Sequence, residues 1–454
     1  MLAEYLNLFN SWLWGKFLII LLVGVGILLT YRLRGLQFRY LGYSLKLAFT
    51  RNDPNATGDI SQFQSLMTAL AATIGIGSIA GVATAITAGG FGAIFWMWVI
   101  ALIGMATKFA EAILAVKYRI MDHRGEMCGG PMYYITHGVG WRWLGILFAI
   151  FGSLSAFAGG NLTQSNSIAA AMHDLIALPP IWTGILLMLV TSIVLLGGIK
   201  SIGKVSAYLV PTMALLYVMG GLIILSLHWE KIPESFLLIV RSAFTGQAAF
   251  GGFLGASVAA AIQLGVARGV SSNEAGLGSG PIAAAAAKTD LPGRQALISM
   301  TGVFLSSLIV CTITALVIAV TGVLGRVDLN GKMLNGAPLV MQAFRSALPG
   351  GGAIVAIGLV LFGYSTIVGW AYYGEKCVEF LGGEKILKWY RILFCIMVFA
   401  GAIASFDLVW PLVDIMNGLM AFPNLIALFA LSGIVVTESE SFFALLKREQ
   451  SQSL

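Results

Sequence analysis

Residues Leu66 to Gly90 read LMTALAATIGIGSIAGVATAITAGG. The stretch carries no charge and is long enough to cross a bilayer, for which about 20 apolar residues suffice. Gly75, Gly77 and Gly81 nevertheless interrupt its middle. Unwound backbone at membrane depth is tolerated only where protein or a water-filled cavity surrounds it, because hydrocarbon cannot satisfy the freed N–H and C=O groups. The stretch therefore predicts a membrane helix broken at its centre, the arrangement from which secondary transporters build substrate and ion sites.

The rest of the chain fits a membrane setting. Of 454 residues, 58% are hydrophobic and only 10% charged, and the mean hydropathy is +0.89, outside the range of soluble domains. The net charge of +7 does not point to nucleic acid, because the basic residues cluster in short loops between apolar runs, where they set topology. Cys128, Cys311, Cys377 and Cys395 lie far apart without CxxC spacing, so neither a zinc site nor a disulfide framework is indicated. The histidines, His123, His137, His173 and His228, lack metal spacing, which argues against a membrane-embedded enzyme, the remote alternative. No repeated filter sequence or ring of charge points to a channel.

Counting runs free of Asp, Glu, Lys and Arg predicts an all-α polytopic protein of about eleven spans. They are Phe17 to Tyr31, the opening stretch, about Phe91 to Tyr118, and roughly 141–172, 180–198, 205–227, 247–267, 295–322, 350–374, 388–406 and 409–436. No A-x-A-like cleavage sequence follows the first run, so it is expected to stay in the cytoplasmic membrane with the N-terminus outside and the C-terminus cytoplasmic. The segment from Leu36 to Thr50, with Phe38, Tyr40, Tyr43 and Phe49 among Arg39 and Lys46, is expected at the interface. This topology divides the 27 Lys and Arg residues into 20 on the cytoplasmic side, six outside (Lys16, Lys231, Arg241, Arg326, Lys332 and Arg345) and Lys108 within a span, the bias that orients membrane proteins.

A second glycine-interrupted run, Phe250-Gly251-Gly252-Phe253-Leu254-Gly255-Ala256, lies five spans after the first and in the opposite orientation. Paired broken segments in corresponding halves point to an inverted repeat with its site at the repeat interface. The expected organisation is a transmembrane helix and interfacial segment (1–60), a first repeat (61–227), an external linker (228–246), a second repeat (247–436) and a cytoplasmic tail (437–454).

The run Ala71 to Ser78 would expose backbone at the bilayer midplane, where half-helix N-termini attract carboxylates and carbonyls suit a small hard cation. The competing reading is that its glycines only permit close helix packing. Gly75-Ile76-Gly77-Ser78-Ile79-Ala80 also matches GxGxxA, but without the preceding strand and following acid that a dinucleotide site needs. Asn161, Gln164 and Asn166 make Gly159 to Ser167 polar for a span, and such side chains should face the bundle; Gln164 is the preferred substrate contact, since an amide can bond an ammonium or a carboxylate. Ser365 and Thr366, one turn before Trp370, offer hydroxyl ligands to a cation or else bond the i−4 carbonyl. Of the ionisable residues within spans, Lys108 and Glu111 are spaced to pair with each other, and Asp414, with Asn417 on its face, is a candidate gate or proton site.

With LAATIGIGSIAGVATAI, GEMCGGPMYYI (125–135), GNLTQSNSIA (160–169) and ARGVSSNEAGLGSGPIAAAAA (267–287), the chain resembles the alanine or glycine:cation symporters, often called sodium/alanine symporters. The resemblance implies a leucine-transporter-type core of two inverted five-helix repeats and sodium- or proton-coupled uptake of a small neutral amino acid such as alanine or glycine, by a monomer without a cofactor beyond the coupling ion. It also implies a sodium site of the Ala71, Ile74 and Phe362 carbonyls with the Ser365 and Thr366 hydroxyls. The substrate carboxylate would meet N–H groups of Gly75, Ile76 and Gly77, and Gln164, Gly251, Gly252, Phe253 and Trp370 would line the side-chain end. Asp414 or Glu111 would serve a proton-coupled variant. The family usually reads GTGNIAG where this chain has GIGSIAG; Ser78 in place of the asparagine removes a ligand for a second sodium, and Ile76 in place of the threonine makes the pocket more apolar, which opens it to a substrate other than alanine or glycine.

Overall fold

The computed structural model describes residues 2–50, 56–245, 257–328, 331–404 and 409–452. In chain order the helices that build the bundle begin with α1 (Leu8–Arg32) and α2 (Leu36–Ala48), followed by α3 (Gln62–Thr73), α4 (Ala80–Gly89) and α5 (Gly92–Lys117). Next come α6 (Arg142–Ile176), α7 (Pro180–Leu196), α8 (Gly198–Leu227) and α9 (Ile232–Thr245). The second half holds α10 (Val258–Asn273), α11 (Gly280–Ala285), α12 (Pro292–Thr321), α13 (Gly336–Ala347) and α14 (Gly351–Gly382). The chain closes with α15 (Leu387–Ile403), α16 (Val409–Ala430) and α17 (Ser432–Gln452).

Among the described residues, 8 helices are long and apolar enough to cross a membrane, so this is a multi-pass membrane protein. The other three of the expected eleven spans fall on shorter pieces: α3 with α4, α7, and α10. Only one small β element accompanies them among the described residues, the hairpin Ile120–Met121 against Met127–Cys128 between α5 and α6.

The opening stretch breaks where its glycines predict. Ser61 starts α3 with a capping box, its hydroxyl accepting the Gln64 N–H and the Gln64 side chain accepting the Ser61 N–H, each at 3.0 Å, an arrangement that stabilises a helix start by about 1 kcal/mol. The helix ends at Thr73. Ile74 leaves helical geometry, Gly75 is extended, a single 3₁₀ turn spans Ile76–Ser78, and α4 resumes at Ala80.

The expected second break, the run Phe250 to Ala256, lies outside the described residues; another break follows it, between α10 and α11. There Glu274 (φ 56°), Gly276 (φ 90°) and Gly278 (φ 83°) take left-handed backbone, and the Asn273 side-chain oxygen accepts the Ala275 N–H at 2.9 Å. Polar and small residues encode it: Asn273 offers a local acceptor that competes with the helix, and two glycines supply the conformations a bulky residue resists.

Close approach holds this second broken helix to α5. Gly265 and Gly269 lie one turn apart on α10; a Cβ at Gly265 would strike the Ala93 carbonyl oxygen, and one at Gly269 would strike Ile100. Small residues at this spacing let membrane helices pack backbone to backbone. Gly265→Val is therefore expected to lower the thermal unfolding midpoint of the detergent-purified protein, with overpacking of this kind costing about 1–3 kcal/mol. Gly81→Ala, whose new methyl meets nothing within 4 Å, should leave the midpoint unchanged; equal shifts for the two variants would remove this account of the contact.

Candidate functional site

Four oxygens converge where α14 passes the first break. The Ser365 hydroxyl lies 3.1 Å from the Ala71 carbonyl and 2.9 Å from that of Phe362; the Thr366 hydroxyl lies 3.2 Å and 2.9 Å from the same two. Back-bonding to Phe362 is thus present, but it does not exhaust the geometry, because both hydroxyls also reach across to Ala71 on another helix. Two protons are shared between two carbonyls in a buried spot, which gives the oxygen-rich, compact environment that a hard monovalent cation requires. Ile74 sits beside this group, buried at the helix break, although among the described residues no hydrogen bond joins its carbonyl to the two hydroxyls. Gly75 completes the contact: a Cβ there would collide with the Thr366 hydroxyl.

Gly75 and Thr366 also line a cavity of ≈ 60 Å³. It brings together Gly75, Gly77, Gln164, Thr366, Trp370 and Asp414 from the sequence-derived set. Gln164 donates to the Gly159 carbonyl at 2.9 Å while its oxygen has no partner among the described residues, leaving an acceptor beside the cavity. Its neighbours are helix glue: Asn161 donates to Phe394 O (2.8 Å) and Asn166 to Ala404 O (2.8 Å), both tying α6 to α15 and its end. Ile76 faces elsewhere, lining a larger cavity of ≈ 490 Å³ together with Asn166, Asp174 and Asn335. Gly251, Gly252 and Phe253 lie outside the described residues.

Four residues of the ARGVSSNEAGLGSG run that the sequence pattern alone does not mark as site residues also reach the small cavity, the apolar Leu277 and the polar Arg268, Ser271 and Glu274. A charge at each end of a short polar segment, followed by two glycines, is the signal that distinguishes them. Glu274, only 2% exposed, accepts the Ser279 hydroxyl at 2.6 Å and lies beside Thr73 and Trp370. Arg268 clasps Asp414 through two contacts, 2.8 and 3.4 Å, and this pair stands between the two cavities, lining the small one while Arg268 also lines the large one. Arg268 shares the large cavity with Asp174, near the end of α6, and Asn335, just before α13. The helix continues past Ala267 to Asn273, so Arg268 lies within α10 and not in a loop after it.

The α1 span braces Asp414. The Trp14 indole N–H donates to its main-chain carbonyl at 2.7 Å, and the Asn10 amide reaches its carboxylate at 3.5 Å.

Lys108 and Glu111 do not form the direct pair expected from their spacing. Lys108 points its ammonium at the Asn273 and Glu274 carbonyls (3.5 and 3.4 Å), the negative end of the α10 dipole. Glu111 accepts the Gly276 N–H at 3.0 Å and the Asn424 amide at 2.7 Å. Each finds a backbone group orphaned by the break, and leaving such a group unmet in the interior costs more than an ion pair gains.

About 16 Å further along α14 from Ser365, at ~1.5 Å per residue, an ion network closes the opposite end. Lys376, wholly buried, lies 2.9 Å from Glu379, 3.4 Å from Glu126 and 3.3 Å from the Cys128 sulfur. Arg124 joins Asp122, Glu126 and Glu379 at 3.1–3.2 Å. Asp122, Cys128 and Glu379 have metal-like spacing, yet the Lys376 ammonium already sits among them, and burial pushes the Cys128 thiol up to about 11, so it stays protonated at neutral pH.

A model of the sodium:alanine symporter family matches residues 1–454. The chain is 53% identical over 453 residues to the sodium/alanine symporter AgcS of Methanococcus maripaludis, covering 98% of each. It is 38% identical over 442 residues to the probable sodium/glutamine symporter GlnT of Bacillus subtilis, covering 97% of this chain and 91% of that one. Among solved structures, MhsT in complex with L-phenylalanine aligns with a TM-score of 0.58 at 14% identity, over 84% of this chain and 92% of that one. A Na+-coupled sialic acid symporter aligns with a TM-score of 0.56 at 12% identity, over 92% and 87%. These likenesses show the leucine-transporter-type fold.

The Arg268–Asp414 pair generates a direct prediction. Hydrogen bonds between charged groups contribute about 1.5–3 kcal/mol, so Arg268→Gln should raise the rate at which a membrane-impermeant thiol reagent modifies Thr163→Cys, in the small cavity, by roughly ten-fold or more. An unchanged labelling rate would mean that the pair does not separate the cavities.

Proposed function

We propose that this chain, which belongs to the sodium:alanine symporter family, couples sodium entry to uptake of a small neutral amino acid such as alanine or glycine. Members of the family carry out cation-coupled amino-acid symport, and the chain is a transporter, not an enzyme. The observation that carries the finer reading is that Thr366 and the Gly75 backbone beside it border both the four-oxygen cluster of Ala71, Phe362, Ser365 and Thr366 and the small cavity.

In this reading sodium takes those four oxygens together with the Ile74 carbonyl, replacing the hydroxyl-to-carbonyl hydrogen bonds. The substrate carboxylate meets the N–H groups from Gly75 to Gly77, freed by the break. Glu274 supplies negative charge for the ammonium, and Gln164 offers its unmet oxygen. Trp370 limits the side-chain end. The small cavity holds ≈ 60 Å³ against ≈ 490 Å³ for its neighbour, which favours alanine or glycine over a long side chain. Because ion and carboxylate share Gly75, each stabilises the backbone geometry the other needs, and coupling follows as linkage between adjacent sites.

Alternating access would then consist of opening either the Arg268–Asp414 gate or the Lys376–Arg124 network, with bound ligands shifting the balance of states. The orientation that goes with this has the N-terminus outside, the C-terminus in the cytoplasm and the chain acting as a monomer in the cytoplasmic membrane. One observation favours a second reading, proton coupling: the second carboxyl oxygen of Glu111 is buried without a partner among the described residues, a position that a protonated carboxyl tolerates better than a charged one.

Ser365→Ala combined with Thr366→Ala should raise the sodium concentration that half-saturates alanine binding by roughly ten-fold or more, since two oxygen ligands of about 1 kcal/mol each are lost. Calorimetric titration at fixed alanine measures this, and an unchanged sodium dependence would eliminate the assignment. For the proton alternative, Glu111→Gln should leave sodium-driven uptake intact while abolishing uptake driven by a pH gradient; sodium-independent uptake in the unmodified protein would favour the second reading.

A further inference from the structure

Away from this site, α1 leaves the hydrocarbon at Arg32 and turns into α2, whose far face meets α17. Between them lies a groove of ≈ 290 Å³ whose charged lining is Arg32, Arg34, Arg39 and Lys447 against the single acid Glu440. Its floor is aromatic: Tyr40 stacks on Phe443 with ring centroids 4.3 Å apart, and the Arg39 guanidinium lies 5.5 Å from the Tyr40 ring. Arg34 reaches Glu440 only at 3.5 Å, with both side chains mostly exposed, a geometry worth little. Among the described residues, Arg39 and Lys447 have no carboxylate partner. Arg32 is held in place by a 2.7 Å bond to the Ser432 hydroxyl.

A second groove lies on α1 beside the end of α16. It has a volume of ≈ 470 Å³ and is lined by Phe17, Ile20, Leu21, Gly24, Val25, Leu28 and Phe429. Leu28, which lines it, lies one turn before Arg32 on α1, and Arg32 lines the basic groove, so the two grooves meet along α1. Gly24 keeps the apolar groove open, since a Cβ there would meet nothing within 4 Å.

We propose that the two grooves form one binding site for an anionic glycerophospholipid, with its phosphate among Arg32, Arg39 and Lys447 and an acyl chain along Phe17 to Leu28. The charge balance selects an anion, and the apolar continuation at membrane depth selects a lipid over a soluble phosphate. Basic pockets where helices meet at the membrane surface recognise lipid headgroups in this manner. Bound there, the lipid bridges α1, α2 and α17, joining the helix that braces Asp414 to the last helix of the bundle.

The test uses the full chain, stripped of lipid in detergent and exposed to equal amounts of palmitoyl-oleoyl phosphatidylglycerol and phosphatidylcholine, with retained lipid read by native mass spectrometry. The protein should retain phosphatidylglycerol preferentially. Each cation removed should lower that preference roughly five-fold, and Arg32→Gln/Arg39→Gln/Lys447→Gln together by on the order of a hundred-fold. Arg39→Lys should keep most of it, and Gly24→Trp, which fills the apolar groove, should reduce retention of both lipids. Should the triple variant fail to fold, Arg39→Gln alone carries the test. Equal retention of the two lipids, undiminished preference in the variants, or displacement of the lipid by millimolar glycerol 3-phosphate would overturn the proposal, the last by identifying a soluble phosphate as the occupant.

Discussion

Everything at the centre of this protein follows from one constraint: backbone N–H and C=O groups released inside a membrane must find partners there. Two helices break at mid-depth, and the surrounding side chains divide the released groups between them. At the second break Lys108 takes carbonyls at the end of α10, and Glu111 and Asn424 take the Gly276 amide and carbonyl. At the first break the Ala71 carbonyl is met by Ser365 and Thr366, and Gly75 and Gly77 line the small cavity, where the proposed carboxylate contact would meet the remaining N–H groups.

That division accounts for which polar residues hold the bundle and which face the cavity. Asn161, Asn166, Lys108 and Glu111 spend their hydrogen bonds on neighbouring helices. Gln164 and Glu274 instead keep part of their polar surface beside the cavity. Arg268 and Asp414 line the cavity as a pair, while the buried Lys376 and its carboxylates lie further along α14. A charge buried without its partner costs several kcal/mol, which keeps both groups paired in this structure.

The first break could be read from the sequence to within a residue or two, because glycines in the middle of an uncharged run weaken a helix at the depth where lipid most demands one. The convergence of α14 on Ala71 came from the resemblance, because Ser-Thr back-bonding makes the residues alone ambiguous; the Ser365 and Thr366 hydroxyls lie 3.1 and 3.2 Å from that carbonyl. Gly251 and Gly252 lie outside the described residues, and the break between α10 and α11 depends on Glu274 taking a left-handed conformation, which side-chain type does not announce. The Lys108 and Glu111 spacing predicted a pair correctly as local geometry and wrongly as partnership, since helical periodicity says nothing of an orphaned amide arriving from another helix. Arg268 was placed by counting charges per loop, a rule blind to a helix that continues past its apolar run.

The central claim is that a sodium ion and a small amino acid bind at adjoining sites that share Gly75 and move together. Its most direct test is accumulation of labelled alanine by the purified protein in proteoliposomes under an imposed sodium gradient. The account predicts accumulation above the external concentration with inward sodium, and collapse to equilibrium when an ionophore dissipates the gradient. Accumulation that is equal with and without sodium, or none with any small neutral amino acid, would contradict it.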